Sequence, residues 1–268
     1  LMENLEKQNY HFGTILDNQY AYMEGIASFL GESDDILTEQ NMNLIREIQE
    51  ASDLERVCII DGSGNGHYAD GSVEDVSASM YFKEGSCGMR TLSNTLESSV
   101  DGETRVVLGV PVYRDEQVIG VLCGSYNVSV LSRMLFQDIY KSEGYAFIIT
   151  EDGTVVSNVD SSWQEFMDGG HNLLETCRRN MKNSTSVDEL ETDLSNEKSG
   201  YKKIGGKKNS WYIAYAPLGY NKWMVCYTVP VAVARDSYQF IQKYGLLMSG
   251  SMVAAVLCVL FYILFMSR

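Results

Sequence analysis

Arg105–Asn127 reads RVVLGVPVYRDEQVIGVLCGSYN. Two runs rich in β-branched residues, Arg105–Tyr113 and Val118–Asn127, flank the polar tetrad Arg114–Gln117. Apolar runs of this length, broken by a short charged turn, predict an antiparallel hairpin. Upstream, Val57–Ile60 is a short apolar strand, Asp61–Gly66 a glycine-rich turn, and His67–Ala69 the start of a return strand. The same plan recurs downstream. Tyr145–Thr150 is a strand, Glu151–Gly153 a turn and Thr154–Ser157 a return strand. After a polar insert with helical character come three antiparallel candidates, Gly200–Ile204, Ser210–Ala216 and Trp223–Val229, with turns at Gly205–Lys208 and Leu218–Asn221. RVCIIDGSGN (Arg56–Asn65) resembles AFIITEDGTV (Ala146–Val155), and VVLGVPVYRDEQVIGVL (Val106–Leu122) resembles YIAYAPLGYNKWMVCY (Tyr212–Tyr227). Copies about 90–105 residues apart point to two like units rather than one continuous sheet. Short antiparallel strands around a helical insert make the class α+β.

Helices frame these strands. Residues 1–30 keep helical spacing through Ile15, Gln19, Tyr22, Met23, Ile26 and Leu30, and Gly31 supplies the stop. Ser33 is the expected cap of a second helix, with Asp34 and Asp35 in its first turn and Ile36, Leu37, Leu44, Ile45 and Ile48 on its apolar face. Pro230 suits the first turn of a closing helix, Val231–Lys243. That helix runs into Tyr244–Met266, an uncharged apolar stretch of about 23 residues, enough to cross a hydrocarbon core. The absence of an apolar signal core after Leu1 and Met2 suggests that an upstream leader or first span preceded this segment.

Composition narrows the function. At 45% hydrophobic and 21% charged the chain expects packed cores. A net charge of −15 disfavours nucleic acid as a partner of the soluble part. Of six cysteines, Cys258 lies in the apolar run, and Cys58, Cys123 and Cys226 fall in apolar strands where free thiols behave as small hydrophobes. Cys87 and Cys177 complete the set. No pair has metal-ligand spacing, and the pattern suggests a mostly reduced protein.

The chemical motifs are few. Asp61-Gly-Ser-Gly-Asn-Gly66 lacks the following helix of a phosphate loop, and its twelfth position as a calcium loop is Ser72 instead of glutamate. A hairpin turn is the better reading. His11, His67 and His171 are scattered, and neither HExxH nor GxSxG occurs. Neither a catalytic residue, a metal site nor a cofactor is expected. Lys202, Lys203, Lys207 and Lys208 flank a hairpin as a solvated edge, with lipid headgroups the alternative. Trp211, Tyr212, Tyr215 and Trp223 read as core, whereas Tyr68, Tyr81 and Phe82 divide evenly between core and pocket lining.

Taken in order, the long first helix, RVCIIDGSGNGHY, DVSASMYFKEGSCG (Asp75–Gly88), VPVYRDEQVIGVLCGSYNVSVL, GYAFIITEDGTVVSN and APLGYNKWMVCYTVP resemble a double Cache sensor, the extracytoplasmic module of bacterial transmembrane receptors. The resemblance implies a helical stalk over residues 1–52, two tandem PAS-like sheet domains over 53–140 (membrane-distal) and 141–230 (membrane-proximal), and a linker and span over 231–268. It also implies a plasma-membrane homodimer with residues 1–243 outside, a small-molecule ligand, and a cytoplasmic output beyond Arg268. A diguanylate cyclase ranks first for that output, before a histidine kinase or chemoreceptor. An adhesion module and a tethered extracellular enzyme are the alternatives.

Many such receptors hold amino acids through an arginine, aromatics and later aspartates. Here the arginine position falls at Ser79, the aromatics at Tyr81 and Phe82, a Tyr-x-Asp pair at Leu96 and Ser98, and the last aspartate at Ser125. Only the aromatics match. Without the arginine a carboxylate loses its bidentate partner, so the pocket is expected to suit a less charged ligand or to be vestigial. Its candidate lining is Tyr68, Asp75, Ser79, Tyr81, Phe82, Ser98 and Ser125.

Overall fold

In the computed structural model, residues 2–97, 104–128, 130, 145–158, 167, 170–180, 185–205, 210–232, 248–249 and 251–252 are described. The chain opens with α1 (Met2–Gly31) and α2 (Glu39–Ala51), then β1 (Arg56–Asp61), β2 (Asn65–Tyr68), β3 (Val73–Asp75), α3 (Met80–Ser86), β4 (Thr91–Leu92), β5 (Leu96–Glu97), β6 (Thr104–Arg114) and β7 (Gln117–Asn127). There follow β8 (Tyr145–Ile149), β9 (Val155–Asn158), α4 (Leu173–Asn180), α5 (Thr185–Ser195), β10 (Gly200–Gly205), β11 (Ser210–Pro217) and β12 (Met224–Pro230).

The strands form two antiparallel sheets, β3-β2-β1-β7-β6-β4 with β5 also on β6, and β10-β11-β12-β8-β9. Read from the hairpin edge, β2-β1-β7-β6-β4 and β9-β8-β12-β11-β10 have the same order. The internal likeness of the sequence therefore extends to topology. The β6–β7 hairpin closes on the two-residue turn Asp115–Glu116 (φ 47° and 63°), and the longer β11–β12 connection contains a tight turn with positive φ at Asn221 and Lys222 (49° and 55°). These are type I′ values, which match the right-handed twist of the strands.

One helix serves both sheets. Leu5, Phe12, Leu16, Tyr20, Met23, Ala27 and Leu30 are buried at three-, four- and seven-residue steps. They share one apolar cluster with Val106, Leu108, Val110 and Val112 of β6 and with Ala214, Ala216, Trp223, Val225 and Tyr227 of the second sheet. The N-terminal half of α1 meets the second sheet, where Asn9 donates to the Pro217 carbonyl at 2.7 Å and Phe12 packs edge-on to Tyr220. The C-terminal half meets the first, where the Tyr20 hydroxyl donates to the Thr91 carbonyl and Tyr126 donates to Gln19 Oε1. A second bridge lies away from the helix. The Asn221 amide donates to the carbonyls of Leu92 (2.9 Å) and Ser93 (3.0 Å).

Three local expectations are corrected. Tyr22 is 47% exposed and does not share the buried face, which runs through Tyr20 and Met23 instead. The second helix is capped by Thr38, whose hydroxyl accepts from the Asn41 amide. Ser33 and Asp35 shape the preceding loop, because buried Asn41 needs their polar atoms: its side-chain amide donates to Ser33 Oγ and to the carbonyls of Asp35 and Ile36. Pro230 is the last residue of β12, paired with Trp211, and helix begins at Val231 directly after it. Beyond it only Val231 and Ala232 are described as helical, so the rest of Val231–Lys243 lies outside the described residues. Apart from Met248, Ser249, Ser251 and Met252, so does Tyr244–Met266. Among the described residues no helix is long and apolar enough to cross a membrane.

The shared helix sets a testable cost. Leu16→Ala should lower unfolding stability by about 2–5 kcal/mol, as for a fully buried leucine. Tyr10→Ala, at a position 79% exposed, should stay within about 0.5 kcal/mol. Urea unfolding followed by far-ultraviolet circular dichroism measures both.

Candidate ligand chamber on the first sheet

Strand alternation divides the first sheet into two faces. Val57 and Ile59 of β1 and Leu122 of β7 turn toward the side of α1 and α2. Cys58, Ile60, Val121 and Cys123 turn the other way and form a separate buried cluster with Tyr68, Val76, Tyr81, Phe82 and Val107 packed against it. The only helix roofing this face among the described residues is α3, of seven residues. It sits close because Gly85 has no side chain: a Cβ there would meet the Val121 methyls at 2.8–2.9 Å.

The second sheet treats its corresponding face differently. There α4 and α5 cover β8, β10, β11 and β12, and 14 residues are fully buried, among them Phe147, Leu173, Leu190, Leu194, Tyr215 and Met224. The first sheet's outer face buries four. One strand plan thus carries a filled core in one copy and a thin, aromatic-roofed layer in the other. The aromatic side chains Tyr68, Tyr81 and Phe82 beside α3 are the candidate ligand surface.

The β1–β2 turn supports the roof. Asp61 accepts from the backbone amides of Ser63 (2.8 Å) and Asn65 (3.0 Å), from the Asn65 side-chain amide, and lies 3.1 Å from His67 Nε2. Burial alone would raise its pKa, but the Asn65 and His67 hydrogen bonds prevail and bring it down to about 2. The carboxylate is committed to its own turn, in line with the hairpin reading. Gly64, at φ 89°, places bare backbone under the roof, where a Cβ would strike Ser77 and crowd the Phe82 ring.

The expected site residues separate under this geometry. Tyr68, Tyr81 and Phe82 come together over the Cys58–Cys123 cluster. Ser125 lies buried on β7, opposite Arg56, with its hydroxyl 3.5 Å from the Arg56 carbonyl. Ser79 caps α3: it donates to the Val76 carbonyl at 2.7 Å and accepts from the Phe82 amide at 3.3 Å. Asp75 is exposed on β3, its carboxylate accepting from the Ser77 amide, so it stands outside the chamber. Ser98 lies outside the described residues.

Sequence reasoning missed Arg56. Its guanidinium lies 3.7 Å from the centroid of the Tyr68 ring and reaches Ser72 Oγ and Glu74 Oε1 (3.0 Å). Alternation along RVCIID would have placed it on the face of Cys58 and Ile60. Burial, above all, pushes the Tyr68 phenol up, and raises Tyr81 to about 12. Both are therefore neutral donors at physiological pH. The rim is a guanidinium paired to a carboxylate, and the interior is aromatic, thiol and aliphatic. Among the described residues no group of three or more His, Cys, Asp or Glu is placed to hold a metal ion.

The model of the Cache domain family matches residues 2–237. The chain belongs to the Cache domain family. A search of curated proteins finds no match. Among solved structures the fold is similar to the ligand-binding domain of the Pseudomonas aeruginosa amino acid chemoreceptor PctB in complex with L-Arg. The TM-score is 0.66 at 17% identity, covering 87% of this chain and 95% of that one. It is also similar to the sensory domain of the Campylobacter jejuni chemoreceptor Tlp3 with isoleucine bound (TM-score 0.63, 11% identity, 85% and 90% covered). A third is the extracellular domain of mmHK1S-Z2, assigned as a histidine kinase (0.59, 14%, 86% and 97%). Cache domains of this kind are extracytoplasmic sensor domains of membrane receptors.

The Asp61 turn has a defined pH signature. Its folded pKa lies below the ordinary carboxylate value of 3.8. Its stabilisation is therefore present above about pH 4 and lost as the pH falls toward 2. Asp61→Asn should lower stability at pH 7 and flatten the decline between about pH 4 and 2, read from urea midpoints across that range.

Proposed function

We propose that this chain is the ligand-sensing part of a bacterial transmembrane receptor, binding a small molecule between α3 and the β1-β7-β6 face of the first sheet. The observation that carries this reading is the contrast between two sheets of like strand order. The outer face of one is filled by two helices, and that of the other is roofed by a short helix bearing Tyr81 and Phe82. Membership of the Cache family supports it.

The ligand is less charged than a free α-amino acid. Ser79 occupies the position of the resemblance's arginine and is engaged as a helix cap, and Ser125 stands where an aspartate would hold an ammonium. The amino acids bound in PctB and Tlp3 are accordingly not the expected ligands here. Neutral phenol donors, aromatic faces and thiols suit a compact ligand that is largely apolar with one or two hydrogen-bonding groups.

In this reading residues 53–140 and 141–230 are the distal and proximal Cache units, and residues 1–243 lie outside the plasma membrane as a homodimer. Tyr244–Met266 is the span through which the signal leaves. Beyond Arg268 the preferred output is a diguanylate cyclase, then a histidine kinase or chemoreceptor. In this reading residues 1–243 bind and do not catalyse. A ligand drives the signal only by binding one conformation of the receptor better than the other.

The purified full chain in detergent, screened by thermal shift against a broad metabolite panel, should respond to a compact uncharged ligand and not to the standard amino acids. Tyr81→Ala should weaken that response by about tenfold in Kd, equivalent to about 1.4 kcal/mol. Silence across the whole panel would overturn the sensing reading in favour of an adhesion role, and turnover of any compound would replace it with an enzymatic one.

A further inference from the structure

Cys58 of β1 and Cys123 of β7 are directly opposed in the antiparallel register. Alternation turns both side chains to the α3 face, and they belong to the same buried cluster. Opposed residues in such a ladder lie about 4.5–5.5 Å apart at Cα. A disulfide needs about 4.4–6.8 Å. On the next strand, Gly109 pairs with Cys123 and leaves bare backbone beside it; a Cβ there would lie 3.2 Å from Cys123 Sγ.

The remaining described thiols are arranged otherwise. Cys87 is exposed just after α3. Cys177 on α4 and Cys226 on β12 share the second sheet's core but come from a helix and a strand, with no register to oppose them. The cross-strand arrangement is therefore particular to the thin, roofed face of the first sheet.

We propose that Cys58 and Cys123 are a thiol pair beneath α3 on the first sheet, which hydrogen peroxide closes to a disulfide across β1 and β7. The Cys58 sulfur attacks one peroxide oxygen, the O–O bond breaks and the thiol proton passes to the departing oxygen, leaving a sulfenic acid and one water. Cys123 sulfur then attacks Cys58 sulfur, the S–O bond breaks and a second water leaves. Two thiols and one peroxide become one disulfide and two waters, with two electrons passing to the peroxide. A hydrogen bond links the two thiols. That bond, and then burial, holds the Cys123 thiol well above the usual thiol range. Cys123 is thus held as a thiol and takes the resolving role. The exported setting of Cache domains is one in which disulfides persist. The inference does not depend on the identity of the ligand, because its readout is the state of the thiols themselves.

The test uses the full chain carrying Cys87→Ser, which removes the exposed thiol. The folded protein is exposed to hydrogen peroxide, alkylated after denaturation, digested and analysed by mass spectrometry. The expected result is recovery of the Cys58 and Cys123 peptides joined, lighter by two hydrogens than the separate pair, with Cys177 and Cys226 alkylated. Recovery of Cys58 and Cys123 as alkylated thiols, as separate oxidised acids, or linked to Cys177 or Cys226 would overturn it. In a further Cys123→Ser substitution, Cys58 should stop at the sulfenic acid and react with dimedone. Trapping at any other cysteine instead would overturn the order of attack. The joined-peptide readout comes from the unaltered pair and survives if that variant fails to fold.

Discussion

The fold depends on one constraint: the apolar stripe of α1 has to satisfy two sheets at once. From Leu5 to Leu30 its buried side chains belong to a single cluster that also contains β6, β11 and β12 residues. Each sheet buries its inner face against the same helix, and neither can withdraw without exposing part of that stripe to water. The two halves are consequently not independent bodies on a flexible string. Movement of one has to be expressed as a shift, tilt or rotation of the helix that the other also holds.

With the inner faces fixed this way, the outer faces are free to differ. The second sheet covers its own with Leu173, Leu174, Val187, Leu190 and Leu194 from two helices, which is ordinary core packing. The first covers its own with a seven-residue helix held close by Gly85 and capped by Ser79. A shared topology thereby carries two packings. One copy has a core filled from two helices, and the other a small cluster beneath one short helix.

Much of this was legible in the residues. The hairpin Arg105–Asn127, the return strands and the second copy follow from period-two patterns and turn chemistry, and each lies within a residue or two of its expected bounds. What was illegible has a common cause: a polar side chain can serve either the fold or the site, and pattern alone does not say which. Ser33 and Asp35 look like a helix cap but answer the demands of buried Asn41. Ser79, aligned with a ligand-binding arginine, is a cap. Asp75, in the same motif, faces solvent. Arg56 went unnoticed at the edge of an apolar strand, although alternation assigns it to the chamber face. The pairing of Cys58 with Cys123 needed the register of two strands 65 positions apart, which no local pattern contains.

Asn221 adds a consequence of another kind. Its amide fastens the β11–β12 turn to the Leu92 and Ser93 carbonyls, at the β4 edge of the first sheet. A body pinned along one shaft can swivel around it; a body pinned along a shaft and at a second point off its axis cannot. The second sheet is mounted in that second way. A twist of the first sheet about α1 would therefore also displace the β11–β12 turn, from which β12 leads toward the C-terminal end of the chain.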